Sequence, residues 1–160
     1  MPAPRPRRPR RRRALMIRVT RTFAVPYPRA KVMAYLADFA HAVDWDPGTV
    51  SCARLGEGTV GEGARWHNVT EFRGRRTELT YRLDTYTPDR LVFSGVSRTA
   101  RTTEDLTFTP GAGSTLITYL ATIRFKGLRA LASPVLRREL ERLGDEITTT
   151  MPRAVAQALG

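Results

Sequence analysis

The sequence predicts a single α+β domain. In it, an antiparallel sheet of about seven strands curves around a long C-terminal helix, and two short helices follow the first strand. One observation is a series of segments after residue 48 that alternate apolar and polar residues between short turn sequences. A second is an apolar stripe at helical spacing near the end of the chain. The stripe consists of Leu136, Leu140, Leu143, Ile147, Met151 and Val155.

The first elements are predicted to be a strand and a broken helix. The segment IRVTRTFAV alternates β-branched and polar residues until Pro26, as strands do. The following PRAKVMAYLADFAHAVDW has apolar residues at helical spacing, and Pro28 lies where helix entry favours proline. We expect a break or a second short helix near Ala37–Ala42.

Six further strands are predicted after the turn at Pro47 and Gly48. The loops between them are short, so consecutive strands are expected to pair as antiparallel neighbours in a meander. The six segments are TVSCARL, GARWHNVTEF, TELTYRLDTYTP, RLVFSGVS, ARTTEDLTFTP and STLITYLATIRFK.

The C-terminal helix is predicted from about Leu128, with Pro134 as a candidate start and Pro152 as a candidate kink. A helix of about 25 residues would span about 40 Å, since each residue adds about 1.5 Å. The apolar stripe of such a helix needs a partner surface, and only the concave face of the sheet is large enough.

The formal net charge of +12 is concentrated at the amino end of the chain. Residues 1–15 contain seven Arg and no acid, which leaves +5 for the domain predicted at 16–160. Proline and charge repulsion predict a disordered arm or loose polyproline II. Two alternatives for this arm are a true translation start at Met16 and a contact with nucleic acid or an acidic surface. The positive charge is the one feature that favours a nucleic-acid contact, and charge by itself does not predict specific binding. We therefore expect no nucleic-acid partner.

Several functional classes are disfavoured by what the sequence lacks. Cys52 is the only cysteine, so no internal disulfide can form, and a small apolar strand residue is favoured over a nucleophile. No apolar run approaches the roughly 20 residues of a membrane-spanning helix. The paired arginines also lack the apolar segment of an export signal. We expect a cytoplasmic monomer or homodimer without cofactor or metal.

Residues 44–50, DWDPGTV, place an indole between two carboxylates. His41, Asp44 and Asp46 do not form a known metal-binding pattern, and nothing in the stretch would tune one carboxyl for acid–base catalysis. A chain corner fits better. We expect a helix to end here, the carboxylates to stay solvated, and the indole of Trp45 to cover the end of the core.

The order of elements resembles the helix-grip fold of the START-like (SRPBCC) superfamily, and within it the bacterial polyketide cyclase/dehydrase and lipid-transport group. The resemblance covers about residues 17–159. The segments that carry it are FAVPYPRAKVMAYLADF, WDPGTV, VGEGARWHNVTEFRGRRTELTYRLDTYTPDRLVFSG, PGAGSTLITYLATIRFKG and LASPVLRRELERLGDEI.

The resemblance implies a cavity between the sheet and the long helix, and a curved sheet wrapped around one helix favours such a cavity on physical grounds. We expect it to bind or transport a small hydrophobic ligand that is lipid-like or polyketide-like. An aromatase/cyclase or dehydratase using the same cavity is the first alternative. An interaction module with a basic surface, formed by the arm and KGLRALASPVLRRELER, is the second.

Strand parity predicts which side chains line this cavity. Alternate residues of each strand face inward, and the more apolar set is assigned to the interior. Trp45 enters through the resemblance, which places the matching tryptophan where the short helices meet the pocket. The predicted ligand contacts are Trp45, Trp66, Asn68, Tyr81, Phe93, Tyr119, Ile147 and Met151.

No residue is identified as catalytic, and two weak candidates remain. Glu104 is the only acid on a predicted inward face, where burial would raise its pKa and suit it to acid–base work. A position at the edge of the sheet, in water, is the favoured alternative. His67 points outward by parity, which favours an exposed strand histidine over a general base.

Overall fold

A computed structural model describes residues 16–126 and 133–160. These residues form seven strands, three α-helices and one 3₁₀ turn. The strands are β1 (Met16–Val25), β2 (Thr49–Leu55), β3 (Arg65–Phe72), β4 (Arg75–Thr87), β5 (Arg90–Val96), β6 (Ala100–Pro110) and β7 (Thr115–Phe125). The helices are α1 (Arg29–Ala37), α2 (Ala42–Trp45) and α3 (Ser133–Leu159), with the 3₁₀ turn at Phe39–His41. The predicted arm and the predicted helical residues 128–132 lie outside the described residues.

The strands form one antiparallel sheet in the order β1-β7-β6-β5-β4-β3-β2. Strands that follow one another from β2 to β7 are neighbours, which confirms the predicted meander, and β1 pairs with β7. The register shifts between Thr49 and Ser51 in β2, and between Leu83 and Thr85 in β4. Each extra residue bends its strand and increases the local twist, which curves the sheet towards the helix.

The predicted inner faces are confirmed by burial. Leu79, Tyr81 and Leu83 of β4 are buried, whereas Arg82 and Asp84 between them are exposed. The same alternation holds in β5, β6 and β7, where the buried residues are Leu91, Phe93, Leu106, Phe108, Ile117, Tyr119 and Ala121. The core therefore lies on the concave side of the sheet.

The long helix α3 lies across this concave face, and its predicted stripe points inward. Ile147, Met151 and Val155 are buried. Arg21 of β1 holds one side of α3 against the sheet, because its guanidinium donates to Glu141 at 2.7 Å and to Asp145 at 2.9 Å. Gly144 allows a close approach to β1, since a Cβ at this position would lie 2.5 Å from Cγ1 of Val19.

The predicted break after the first helix is also confirmed. Asp38 ends α1 in an extended conformation and caps the 3₁₀ turn, where its Oδ1 accepts the N–H of Ala40 at 3.0 Å. The same oxygen accepts the indole N–H of Trp66 at 2.9 Å. One carboxylate therefore ties the 3₁₀ turn to β3 and directs Phe39 into the interior.

Candidate ligand-binding site

The interior contains a cavity of about 210 Å³ between the sheet and α3. The sheet contributes inward-facing residues of β4, β6 and β7, among them Leu79, Thr102 and Ala121. The helix contributes the first half of its apolar stripe, Leu136, Leu140, Leu143 and Ile147. The cavity predicted between sheet and helix is therefore present, at the end where α3 begins.

The other end of the interior is filled by an aromatic cluster centred on Phe39. The ring centroid of Phe39 lies 4.2 Å from that of Tyr81 and 4.7 Å from that of Phe93. Trp45 packs edge-on at 5.8 Å, and Trp66 lies at 6.2 Å. Phe39 thus occupies the space beside Trp66, a residue that the sequence predicts to contact a ligand.

The structure divides the eight predicted ligand contacts into two groups. Tyr81, Tyr119 and Ile147 line the cavity. Trp45, Trp66, Asn68, Phe93 and Met151 are buried but do not line it. Strand parity separates inside from outside but cannot say which inward residues another side chain covers, so a ligand contact by these five stays a prediction.

Asn68 faces inward, and its side chain hydrogen-bonds to neighbouring residues. Its amide donates to Oγ1 of Thr49 at 3.1 Å, and its carbonyl oxygen accepts the hydroxyl of Thr70 at 2.7 Å. Both ends of the side chain are satisfied by neighbouring strands, as buried polar groups require. No hydrogen-bonding group of Asn68 is directed at the cavity.

A polar cluster forms one wall of the cavity. The phenol of Tyr119 on β7 donates a hydrogen bond to Glu104 on β6. The hydroxyl of Thr102, also on β6, donates to the phenol oxygen of Tyr81 at 3.2 Å. All four residues line the cavity. The expectation that Glu104 occupies a solvated edge position was wrong, because β6 lies between β5 and β7 and Glu104 lines the cavity.

Burial controls the protonation of this cluster. Burial raises the pKa of Glu104 to about 8, and the charge of Asp46 acts in the same direction, while the hydrogen bond from Tyr119 partly opposes both. Burial and the charge of Glu104 raise the pKa of both Tyr81 and Tyr119 well above 10. Near neutral pH the wall therefore carries a largely neutral carboxylic acid and two phenols.

Gly95 positions the phenol of Tyr81. The two residues face each other across β4 and β5. A Cβ on Gly95 would lie 2.5 Å from Oγ1 of Thr102 and 2.8 Å from the Tyr81 ring. Only a residue without a side chain leaves room for the ring to lie over the strand and reach Thr102.

The corner DWDPGTV is structural, as predicted, but one of its carboxylates is not solvated. Trp45 is buried against Phe39, and Asp44 is exposed. Asp46 accepts the N–H of Gly48 at 3.0 Å and the hydroxyl of Thr49 at 2.7 Å, which closes the turn. Its carboxylate also lines the cavity, and burial raises its pKa. The prediction of solvation was therefore wrong for Asp46.

His67 and Cys52 lie away from the cavity lining. The His67 ring points outward, as parity predicted, and its Nε2 lies 3.5 Å from the carboxylate of Glu78. Burial raises the pKa of Cys52 to about 11, so the thiol stays protonated near neutral pH. Within residues 16–126 and 133–160, no group of three His, Cys, Asp or Glu side chains could hold a metal ion.

Sequence reasoning missed much of the cavity wall. Ala121 leaves space because it is small, Gly144 lines the cavity where α3 approaches β1, and Leu136, Leu140 and Leu143 were assigned to a helical stripe without a ligand role. Their positions on inward faces were readable from periodicity. The division of that face into a packed end and an open end was not, because it depends on where Phe39 enters.

An antiparallel sheet wrapped around a C-terminal helix, with two short helices after β1 and a lined cavity, defines a START-like protein of helix-grip fold. Residues 16–152 match the family of polyketide cyclases/dehydrases and lipid transport proteins. The chain belongs to this family, and the predicted fold and superfamily are confirmed.

Solved structures agree with this fold at low sequence identity. The chain is similar to the Zhui aromatase/cyclase from a Streptomyces species, with 15% identity, a TM-score of 0.73, and coverage of 91% of this chain and 97% of that one. A START superfamily protein from Mycobacterium smegmatis matches with 14% identity, a TM-score of 0.73, and coverage of 88% and 98%. A protein from Thermus thermophilus matches with 14% identity, a TM-score of 0.75, and coverage of 91% and 100%. No curated protein sequence matches significantly.

Proposed function

We propose that this protein binds or transports a small hydrophobic ligand in the cavity between the sheet and α3. The observation that carries the proposal is an unfilled, mainly apolar space of about 210 Å³ with one polar cluster in its wall. Apolar burial supplies the affinity, at about 25 cal/mol per Å² before the costs of association. The Glu104 and Tyr81 side chains orient one polar group of the ligand.

The cavity volume indicates the size of the ligand. Pockets for drug-sized molecules typically measure about 300 to 1,000 Å³, so this cavity is smaller than most. A ligand with one or two rings matches it better than a long, fully enclosed chain. This favours binding of a compact molecule over folding of an extended polyketide.

The test is a titration with the neutral fluorescent probe N-phenyl-1-naphthylamine. The native chain should bind the probe saturably at one site. Ala121→Phe places a ring in the cavity and should weaken binding at least about tenfold, because the ring displaces the probe. Leu120→Phe is the matched control, since the adjacent residue faces the opposite side of the sheet. Absence of saturable binding to the folded native chain would contradict the proposal.

A second candidate function is an aromatase/cyclase or dehydratase, which the family and the Streptomyces structure support. The specific observation is Glu104, a buried carboxyl with a pKa of about 8 beside two phenols. In its ionised form it could accept a proton from the carbon between two ketones of a substrate. The resulting enolate carbon would attack a third carbonyl of the same chain, and the alkoxide formed would take back a proton from the neutral acid.

Incubation with a reactive poly-β-ketone tests this second function. If the protein is a cyclase, it accelerates regiospecific ring closure, and Glu104→Gln lowers the rate by about 10²-fold or more, the range typical of general acid–base catalysis. Tyr119→Phe should lower it less, since it removes only the partner of Glu104. Glu78→Gln, on the outer face of β4, is the control. Binding without turnover would leave the carrier function and exclude this one.

Location, assembly and the interaction-module alternative rest on the sequence. The single cysteine supports a cytoplasmic protein, and assembly as a monomer or homodimer stays a prediction. In the part of the chain that is described, no helix is long and apolar enough to cross a membrane.

The basic arm on which the interaction module depends lies outside the described residues. Steep salt dependence of binding that disappears on deletion of residues 1–15 would support that module.

A further inference from the structure

The polar wall of the cavity has an unusual balance of charge for a chain with a formal net charge of +12. Three acidic residues line it. Glu71 is exposed and lies 3.8 Å from the guanidinium of Arg76, whereas Glu104 and Asp46 hold the two buried carboxyl groups. Among the described residues that line the cavity, none is Lys, Arg or His. Neither carboxyl forms a salt bridge with a described residue. The charge state of this wall is therefore set by the two acids and their hydrogen bonds.

The described residues that surround Glu104 supply no compensating charge. Tyr119 faces it from β7 and Tyr81 from β4, while Asp46 faces it from the turn before β2. The helix contributes apolar side chains to the same cavity, among them Leu143 and Ile147, and β1 contributes Val19. Arg21, further along β1, is engaged with Glu141 and Asp145 on α3.

The two protonation states of Glu104 present different groups to a ligand. Tyr119 donates its hydroxyl proton to Glu104, and Tyr81, which accepts from Thr102, is also a hydrogen-bond partner of Glu104, so both phenols are engaged with the acid. The neutral acid has one O–H left to donate, which suits an uncharged carbonyl oxygen. The carboxylate has no proton to donate and repels a carbonyl oxygen, but it attracts an ammonium group.

We propose that Glu104 is the specificity-determining residue of the cavity, and that its protonation state decides whether the wall accepts an uncharged carbonyl group or a cationic amine. The inference rests on the proposed ligand-binding function and adds to it the chemical class of the ligand. Asp46 strengthens the preference for a cation, because its carboxylate lies on the same cavity surface and no positive side chain of the described lining offsets it.

Three naphthalenes of nearly equal size test the proposal: 2-ethylnaphthalene, 2-acetonaphthalene and 2-(aminomethyl)naphthalene. Binding is measured by calorimetry at about pH 6.5 and about pH 8.5, on either side of the point where Glu104 ionises. The ketone should bind about fivefold tighter than the ethyl compound at the lower pH and lose that advantage at the higher pH. The amine should gain about tenfold over the same range.

Proton exchange gives a second readout. Binding of the amine at about pH 6.5 should release a proton, because the ammonium group favours the ionised form of Glu104. The observed enthalpy should then vary with the ionisation enthalpy of the buffer. Binding of the ketone at the same pH should show no such variation, since Glu104 is already protonated.

Glu104→Gln is the decisive variant, because its amide keeps a donor and removes the titration. It should retain the ketone preference at both pH values and abolish the gain in amine affinity. Glu78→Gln should behave as the native chain. Persistence of the pH effects in Glu104→Gln would overturn the proposal. So would ketone and amine affinities that follow the ethyl compound at both pH values. Failure of the ethyl compound to bind at all would instead count against the proposed function.

Discussion

The two ends of the interior are built from the same sheet and the same helix, yet one is filled and the other is open. At the filled end, Phe39 enters from the 3₁₀ turn and packs against Tyr81 and Phe93. At the open end, the small side chain of Ala121 leaves space between β7 and the apolar stripe of α3. The difference shows that the cavity is not a general property of a curved sheet around a helix. It depends on which inward positions are large and on what enters from outside the sheet.

The largest difference between the two ends is expected in the free energy of unfolding when a large side chain at each end is truncated to alanine. Trp66→Ala should lower the free energy of unfolding by about 3 to 5 kcal/mol, since it empties a packed position. Leu140→Ala, in the cavity wall, should cost about 1 kcal/mol, because that side chain is only partly surrounded. Chemical denaturation of both variants measures the contrast. Equal losses would mean that the two ends are packed alike.

The buried acid of the open end should make stability depend on pH. Glu104 has a pKa of about 8 in the folded chain and 4.5 as its ordinary value, so the folded state binds more protons between these values. Its contribution is fully present below about pH 4.5 and is lost as pH rises through about 8. Relative to the native chain, Glu104→Gln should therefore gain stability of roughly 2 kcal/mol or more from acidic pH to about pH 9. Denaturation at several pH values tests this, and a constant difference would contradict it.

A smaller effect is expected where α3 approaches β1. Gly144→Ala should destabilise by about 1 to 2 kcal/mol, because the added Cβ meets Val19 and this outweighs the better helix propensity of alanine. In a Val19→Ala background the obstruction is gone, and the same change should stabilise by about 0.5 to 1 kcal/mol. Comparison of the four chains by denaturation gives the sign in each background. Destabilisation by the same amount in both would exclude the close contact as the cause.

The smallest effect concerns the ion pairs that hold α3 beside the open end. Arg21→Ala should cost about 1 kcal/mol, because the guanidinium is partly buried between Glu141 and Asp145. High salt should reduce the difference. Arg82→Ala is the control, since its exposed contact with Asp84 is long, at 3.7 Å, and should contribute almost nothing. Equal costs for the two variants would mean that these pairs do not fix the helix.

Periodicity was sufficient to predict the framework of this protein. Alternation in β4 separated Tyr81 from Arg82, and helical spacing assigned Leu143 and Ile147 to the inward stripe of α3, since both depend only on local geometry. The superfamily followed from the order of those elements. The short loops between strands settled which ones pair.

The division of the interior was beyond the reach of sequence reasoning. The depth to which Phe39 enters depends on the 3₁₀ turn that Asp38 caps and on a hydrogen bond to Trp66, 28 residues away in the sequence. The position of Glu104 depends on Tyr119 in the neighbouring strand, and that of Tyr81 on the missing side chain of Gly95. These are contacts between elements, and no periodic pattern encodes them.

The bond between Asp38 and Trp66 has a consequence for how such proteins diversify. The residue that fills one end of the interior is carried by a three-residue turn, outside both the sheet and the long helix. A smaller side chain at Phe39 would extend the chamber towards Trp66 while every strand and the main helix stayed in place. The size of the ligand that this fold accepts can therefore change through substitution at one position outside the sheet and α3, with the rest of the fold unchanged.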